Sequence, residues 1–464
     1  MRFKSFREPV GTYLRGSQPV RHFLCCLAAF SLCIECNAGN PQADVLRVET
    51  ARLGGMAEES ITIDAQKGIG PDEAAVVAIL MNPALKAARD KRGDARAQLI
   101  QAGVLPNPQV NYERDTVTGG VTQGTQDEFF LTATWEVTSL IPLLPKRAAA
   151  RANARAIDLR IAWAEWQAAA NAKLAVYHVV ALQRELDTAR DADTALRTTV
   201  ATLRKAVSAH EKNLIDLAAS ESASEDAHAT TLEAEHDLAK QWLALKLAMG
   251  LEPGDGLRLR KDILLPSCLP VPDNAALSAG LESRRIDLIG LQQGIASQDE
   301  TVRAAVLAAF PKITAGFARI TDNSDVHMRG FIVQVDVPLF DRNQGTIATE
   351  RTTRQTLKDE YIQRLFEARN DIASAIVDIR AYDAQIAAAQ EALPLLEKLT
   401  TTAQAALNAG NGDVISYYGA VSNLLQKRLQ LIKLEEQLME ARTALELASG
   451  QMNLSTTLPP SHRR

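Results

Sequence analysis

Cysteine almost vanishes from this chain beyond its N-terminus. Cys25, Cys26, Cys33 and Cys36 crowd the first segment, and Cys268 stands alone afterwards. A chain cleaved behind that segment holds no intramolecular disulfide. Cys33-x-x-Cys36 then reads as an accident of an apolar run rather than a redox or metal motif. Aromatic residues are scarce at 5%, which argues for long Ala-rich helices over a thick globular core. Beyond the N-terminus no run reaches the roughly 18 to 20 apolar residues of a membrane helix. Insertion into a bilayer would therefore require a barrel. An excess of positive charge is also missing. The formal net charge is −5, and residues 1–38 carry five basic and two acidic groups, so their loss leaves −8. That balance gives no electrostatic case for nucleic acid. Absent too are H-E-x-x-H, the phosphate-binding G-x-x-x-x-G-K-S/T and the G-x-S-x-G elbow. Catalysis has no foothold, and no cofactor is implied.

What is present begins with a leader. Arg2, Lys4, Arg7, Arg15 and Arg21 precede the apolar run FLCCLAAFSLCI from Phe23 to Ile34, and Asn37-Ala38-Gly39 follows. Residues 1–38 read as a signal peptide. Ile34 and Glu35 before Cys36 argue against a lipid anchor there. Residues 39–70 read as an irregular, partly extended N-terminal segment.

The stretch FIVQVDVPLFDRNQG from Phe331 to Gly345 organises the remainder. Phe331, Val333, Val335 and Val337 alternate with Ile332, Gln334 and Asp336, the period-2 pattern of a strand. Pro338 ends it, Asp341 is the expected N-cap, and a polar, Ala-rich helix follows to about Asn408. Phe129 to Arg147 repeats the plan. Phe129, Leu131, Ala133, Trp135 and Val137 oppose Thr132, Thr134, Glu136 and Thr138, then Pro142 and Pro145 precede a helix from Lys146 to about Ala209. Each of these strands has a partner upstream, Gln109 to Thr116 and Lys312 to Ile320. Helices are expected over 71–102 with a break at Pro83, from Asn274 to Ala309, and returning to Gly250 and Gly450. At an offset of 200 residues, Ile215, Ser222, Glu235, Leu238, Leu245 and Gly250 recur as Ile415, Ser422, Glu435, Leu438, Leu445 and Gly450. The chain is thus a duplication: a first repeat at 71–250, a linker at 251–273, a second repeat at 274–450 and a tail at 451–464.

The fold class is mostly α with a transmembrane β-barrel, built from duplicated strand pairs and long helical hairpins. Strands of about 8 to 10 residues match the length of a tilted bilayer crossing. Four cannot close a usable pore, so several copies must contribute. Thr132, Thr134, Glu136, Gln334 and Asp336 would line the wet lumen, and Phe129, Trp135, Phe317 and Phe331 would meet lipid or its interface. The alternative is a small soluble sheet buried against helices.

Pro338-Leu339-Phe340-Asp341-Arg342-Asn343-Gln344-Gly345 and Gln101-Ala102-Gly103-Val104-Leu105-Pro106-Asn107-Pro108 resemble the TolC-type family of outer-membrane efflux channels, in its cobalt–zinc–cadmium efflux branch. The resemblance covers about 71–450. It implies a homotrimer with a twelve-stranded barrel in outer-membrane lipid and a twelve-helix periplasmic tunnel. It also implies a periplasmic adaptor (membrane fusion) protein and an inner-membrane pump of the proton-driven RND type. The turns that meet the adaptor map to His210, Glu211 and Asn213, and to Gly410, Gly412 and Asp413. His210-Glu211-Lys212 departs from the family's glycine, and Asp413 serves equally as a helix cap. The cargo implied is heavy-metal cations. Drug efflux, protein secretion and a soluble periplasmic coiled-coil scaffold are the alternatives. His210, His228 and His236 lie in or after the first turn, but solvated helical histidines are the default, so no metal site is assigned.

Overall fold

The structure, a computed structural model, describes residues 32–33, 45–50, 60–64, 68–120, 123–263, 273–409 and 412–451. Most of the leader, Cys268 and the tail beyond 451 lie outside them. Leu32–Cys33 (β1), Val45–Thr50 (β2) and Ser60–Asp64 (β3) form an antiparallel sheet in that order, with Val48 opposite Ile61. Parts of the 39–70 segment are thus extended. Val45, Val48, Ile61, Thr62 and Ile63 are β-branched residues that favour strands, in runs too short for alternation to stand out.

Two helices open the first repeat, α1 (Pro71–Met81) and α2 (Pro83–Gln101). Proline stands at the first position of each, where its missing N–H goes unused. Asp72 and Glu73 suit the positive end of α1. The strands β4 (Gln109–Asp115) and β5 (Glu128–Glu136) follow, then a 3₁₀ turn at Thr138–Leu140. Next come α3 (Leu143–Ser208) and α4 (Leu214–Met249). Helix α3 starts three residues ahead of the expected Lys146, because Pro145 is tolerated within a first turn. At 66 residues it is roughly 100 Å long at about 1.5 Å per residue.

The second repeat does not begin with one helix from Asn274 to Ala309. Instead α5 (Asn274–Ser278), α6 (Leu281–Arg284) and α7 (Ile286–Leu307) divide that span. Gly280 takes a left-handed φ of 70° between the first two, and Arg285 is extended between the last two. The strands β6 (Lys312–Thr321) and β7 (His327–Asp336) lead to α8 (Gln344–Asn408), which continues through Pro394, and to α9 (Val414–Ser449). The hairpin turns and the last residues of α4 and α9 keep the 200-residue offset. Asp341 is not the cap of α8. Its Oδ1 accepts from the Asn343 N–H at 2.9 Å in a tight turn, Asn343 has φ 59°, and the Asn343 side chain donates to Ala305 O at 2.8 Å.

The chain divides into two compact units. One contains residues 84–164 and 286–367, and so holds the sheet β4–β7 with the helix portions attached to it. Small residues allow close helix contact there: Gly290 lies against Ala156 and Leu159, and Ala149, Ala156, Ala304 and Ala305 are buried. The other unit contains α1, α4, α9 and most of α3 and α8. Its first core joins Ala74 and Val77 of α1, Val176, Val179 and Leu186 of α3, and Leu238, Leu245 and Met249 of α4. The linker returns to this core. Ile69 pairs with Leu259 in a parallel bridge, and Arg260 meets Glu73 at 3.0 Å.

Candidate functional site

The sheet β4–β5–β6–β7 is antiparallel throughout, and sequence neighbours are spatial neighbours. Its register sorts the side chains into two faces. Glu136 lies opposite Thr314, which lies opposite Gln334; Thr134 and Thr132 lie two and four residues along, and Asp336 lies opposite Lys312. Alternation therefore puts Thr132, Thr134, Glu136, Gln334 and Asp336 on one face. Gln109, Asn111 and Glu113 of β4 extend it. Lys312 and Thr314 also belong to it, although only their apolar neighbours Ile313, Ala315 and Phe317 drew notice in the sequence. Gly316 opens the middle of this face. A Cβ there would lie 2.8 Å from Thr134 Cα.

The other face carries Val110 and Tyr112, Phe129, Leu131 and Trp135, Phe317, and Phe331, Val333 and Val335. Phe317 and Phe331 are directly opposed, with ring centroids 5.3 Å apart. Trp135 Nε1 donates to Pro106 O at 2.8 Å. This apolar face is bare: Phe331 is 83% exposed and Val333 70%. The outer strands β4 and β7 each have a neighbour on one side only, so each presents an open edge of backbone donors and acceptors.

A second feature lies at the hairpin turns. His210 holds a left-handed φ of 59°, the conformation in which a glycine was expected. Asn213 caps α4, its Oδ1 accepting from the Asp216 N–H at 2.7 Å. Asp413, 200 residues later, caps α9 by accepting from the N–H groups of Ile415 and Ser416 and from the Ser416 hydroxyl, the last at 2.6 Å. Those bonds from Ser416, aided by Lys212, hold the Asp413 carboxyl below its usual range. Gly412 backs closely onto Leu407, where a Cβ would crowd its backbone. Glu211 is exposed in the first turn, and Gly410 lies outside the described residues. Behind the turns the two hairpins share one core: Leu196, Val200, Leu203 and Leu217 pack with Val414, Tyr417, Tyr418 and Val421. The first and second turns therefore belong to one packed end. Burial raises the Tyr418 hydroxyl above its ordinary value.

Further along this unit lies a group that sequence reasoning missed. His178 Nδ1 is 2.5 Å from Glu436 Oε1, and Lys433 Nζ is 2.9 Å from Glu436 Oε2. Burial pushes the Glu436 carboxyl up, but the bonds from His178 and Lys433 outweigh it and leave it below the usual value. Nearby Glu185 is raised by burial and by Glu436. Residues 178 and 436 are 258 apart, so no local signal links them. Of the three histidines weighed in the sequence, His228 lies 3.4 Å from Asp193. No three His, Cys, Asp or Glu side chains gather as a metal site among the described residues.

Residues 278–451 match the family described as outer membrane efflux protein. The protein of Escherichia coli (strain K12) named cation efflux system protein CusC is 25% identical over 170 residues, which are 34% of this chain and 37% of that protein. The match thus spans little more than a third of this curated relative. Solved structures resemble the chain over far more of its length. A CusC crystal structure aligns with TM-score 0.69 and 21% identity over 83% of this chain and 93% of that one. The outer membrane protein VceC of Vibrio cholerae gives TM-score 0.69 and 17% identity over 82% and 96%. The MtrE outer membrane channel of Neisseria gonorrhoeae, in its open state, gives 0.68 and 16% over 82% and 89%. At these identities the likeness is one of fold.

Proposed function

With its second repeat matching outer membrane efflux proteins, we propose that the whole chain is the outer-membrane channel of a tripartite efflux system, a passive duct for heavy-metal cations. The observation that carries this reading is the four-stranded sheet with one apolar face, one polar face and two open edges. A sheet of that kind is unstable alone in either solvent: water meets Phe331 and Val333, and lipid would meet unpaired backbone groups. Joining β7 of one copy to β4 of the next removes every edge. Three copies of four strands give twelve, within the size range of outer-membrane barrels. Thr132, Thr134, Glu136, Gln334 and Asp336 then line the lumen, and the aromatic face meets the lipid.

The helical hairpins form the periplasmic tunnel, and its turns, at His210, Glu211, Asn213, Gly410, Gly412 and Asp413, contact the adaptor. An inner-membrane RND pump supplies the energy. The duct needs no tight cargo site, since strong binding would slow passage. The metal cargo rests on the likeness to a protein named for cation efflux and on the acidic residues Glu136 and Asp336 of the polar face.

The test is deletion of the gene in its own host, with growth measured across zinc, cobalt, cadmium, nickel, copper and silver beside dyes and antibiotics. Hypersensitivity to one or a few metals, restored by the intact gene, is the expected result. Sensitivity to dyes and antibiotics alone overturns the cargo and keeps the channel. Absence of the protein from the outer-membrane fraction overturns the channel itself.

A further inference from the structure

Arg319 of β6 lies directly opposite Arg329 of β7, both on the apolar face and both exposed. Like charges in direct cross-strand register destabilise a sheet, so the pair calls for an anion. None is at hand. In the next row toward the loops the cations are engaged: Arg114 holds Asp127 at 2.5 Å, and His327 Nδ1 is 3.1 Å from the Thr321 hydroxyl. Two carboxylates near the loop are held by backbone groups, and among the described residues no ion pair joins the third, Asp325, to either arginine. Asp322 accepts from the Ser324 and Val326 N–H groups, and Glu128 accepts from Asn323 N at 3.3 Å. Among the described residues neither Arg319 nor Arg329 has an ion-pair partner. A neighbouring copy brings no remedy. Its β4 would add Val110, Tyr112 and Arg114 to this face, because alternation sends Glu113 and Asp115 to the other.

Below the arginines the surface changes character. The Phe317–Phe331 pair and Leu131 border a depression of about 380 Å³ that Arg319 and Arg329 close at its loop end. Eight residues separate Val337 from Arg329, roughly 27 Å along a strand at about 3.4 Å per residue. At a tilt of about 40° that is roughly 20 Å of height, near the top of the ~25 Å apolar band of an outer-membrane barrel. The guanidinium groups thus fall at headgroup depth, with aromatic rings beneath them at acyl depth.

We propose that Arg319 and Arg329 bind the phosphate of a phosphorylated lipid in the leaflet at the loop end of the sheet, its acyl chains lying over Phe317, Phe331 and Leu131. This rests on the channel reading. Two guanidinium forks suit a phosphate, and the apolar depression selects lipid over the free ion.

The experiment uses the full chain purified in neutral detergent. A diphosphorylated glucosamine-disaccharide lipid, its dephosphorylated form and inorganic phosphate are the probes, with native mass spectrometry and thermal unfolding as readouts. The wild type should bind the phosphorylated lipid roughly tenfold or more tightly than R319Q/R329Q, and millimolar inorganic phosphate should not displace it. R319K/R329K should retain part of the binding. The stability order should reverse: R329Q melts above wild type in lipid-free detergent, where repulsion is relieved, and below it once the lipid is added. Equal binding by R319Q/R329Q, or by the dephosphorylated lipid, overturns the proposal. Full displacement by inorganic phosphate overturns the lipid as occupant. If R319Q/R329Q does not assemble, the R329Q reversal decides alone. Outer-membrane fractionation is measured in parallel: loss of fractionation in the wild type sinks the channel reading, whereas normal fractionation with unchanged lipid binding sinks only the arginine site.

Discussion

Val333 and Gln334 are adjacent on β7 and, on the barrel reading, meet opposite solvents. Val333 lies five residues before Pro338 and six after His327. At about 3.4 Å per residue and a tilt of about 40° it sits roughly 13 Å above the proline end, close to the middle of a ~25 Å band. An arginine on the lipid face at that depth costs about 2–4 kcal/mol. Three copies triple that to roughly 6–12 kcal/mol per assembly. One copy alone loses a factor of roughly 30 to 700 in its folding equilibrium. Gln334→Arg faces Thr314 across the strand and has Asp336 and Glu136 on the same face, so its effect should stay within about 0.5 kcal/mol. Outer-membrane fractionation and survival of the trimer band on an unheated gel report assembly; urea titration of protein refolded into vesicles gives the free energies. Val333→Arg should be lost from the fraction and Gln334→Arg should be present at wild-type level. Equal behaviour of the two variants would refute the assignment of faces, and damage by Gln334→Arg alone would invert it.

Gly250 has φ 75° and stands so close to Met81 O that a Cβ would lie 2.6 Å away; Gly250→Ala should lower stability by about 1–3 kcal/mol, whereas Gly294→Ala, with open space beside it in α7, should raise it by up to about 1 kcal/mol, both read by thermal unfolding. Asp413→Ala should cost about 1 kcal/mol through the lost cap and Asp413→Asn almost nothing, so any loss of efflux in Asp413→Asn reports the charge itself. Glu436→Gln should destabilise by about 1–3 kcal/mol at pH 7. The folded-state Glu436 value is below the ordinary 4.5, so the wild-type advantage is complete above that pH and disappears as pH falls through the folded-state value. Glu185 has the opposite sign: its folded-state value is raised, so Glu185→Gln should stabilise at pH 7, and its gain should fade as acid protonates the wild-type carboxyl. Denaturant titrations across pH 3 to 8 would distinguish the two, and parallel curves would refute the charge assignments.

The repeats, the four strands and the long helices were legible because their signals are local. Alternation in Phe331–Val337, proline after β5 and β7 and the 200-residue echo require no tertiary information. The division of the span from Asn274 was hidden because Gly280 and Arg285 break the helix for tertiary reasons: the Arg285 guanidinium is buried and donates to Ala448 O at 3.3 Å. Asp341 had the identity of a cap but not its position, since Asn343 interposes a left-handed residue. The polar face was readable from parity. The Arg319–Arg329 juxtaposition was not, because it depends on the register of β6 against β7, set by the loop between them. The partnership of His178 with Glu436 likewise exists only through packing of the first repeat on the second.

Each repeat is fastened to its own beginning. Asn82, between α1 and α2, donates its amide to Ala248 O, while Gly250 packs against Met81. Arg285, between α6 and α7, donates to Ala448 O, while Gly450 packs against Arg284 and Arg285. The side chains differ, but the acceptor carbonyls are 200 residues apart and equivalent. The fastenings span 166 and 163 residues, and contacts of such separation form slowly. A nascent chain therefore cannot close its first repeat until Gly250 has been made, nor its second until Gly450 has. Until then the fastening carbonyl is missing, an interval in which the repeat stays open to chaperones.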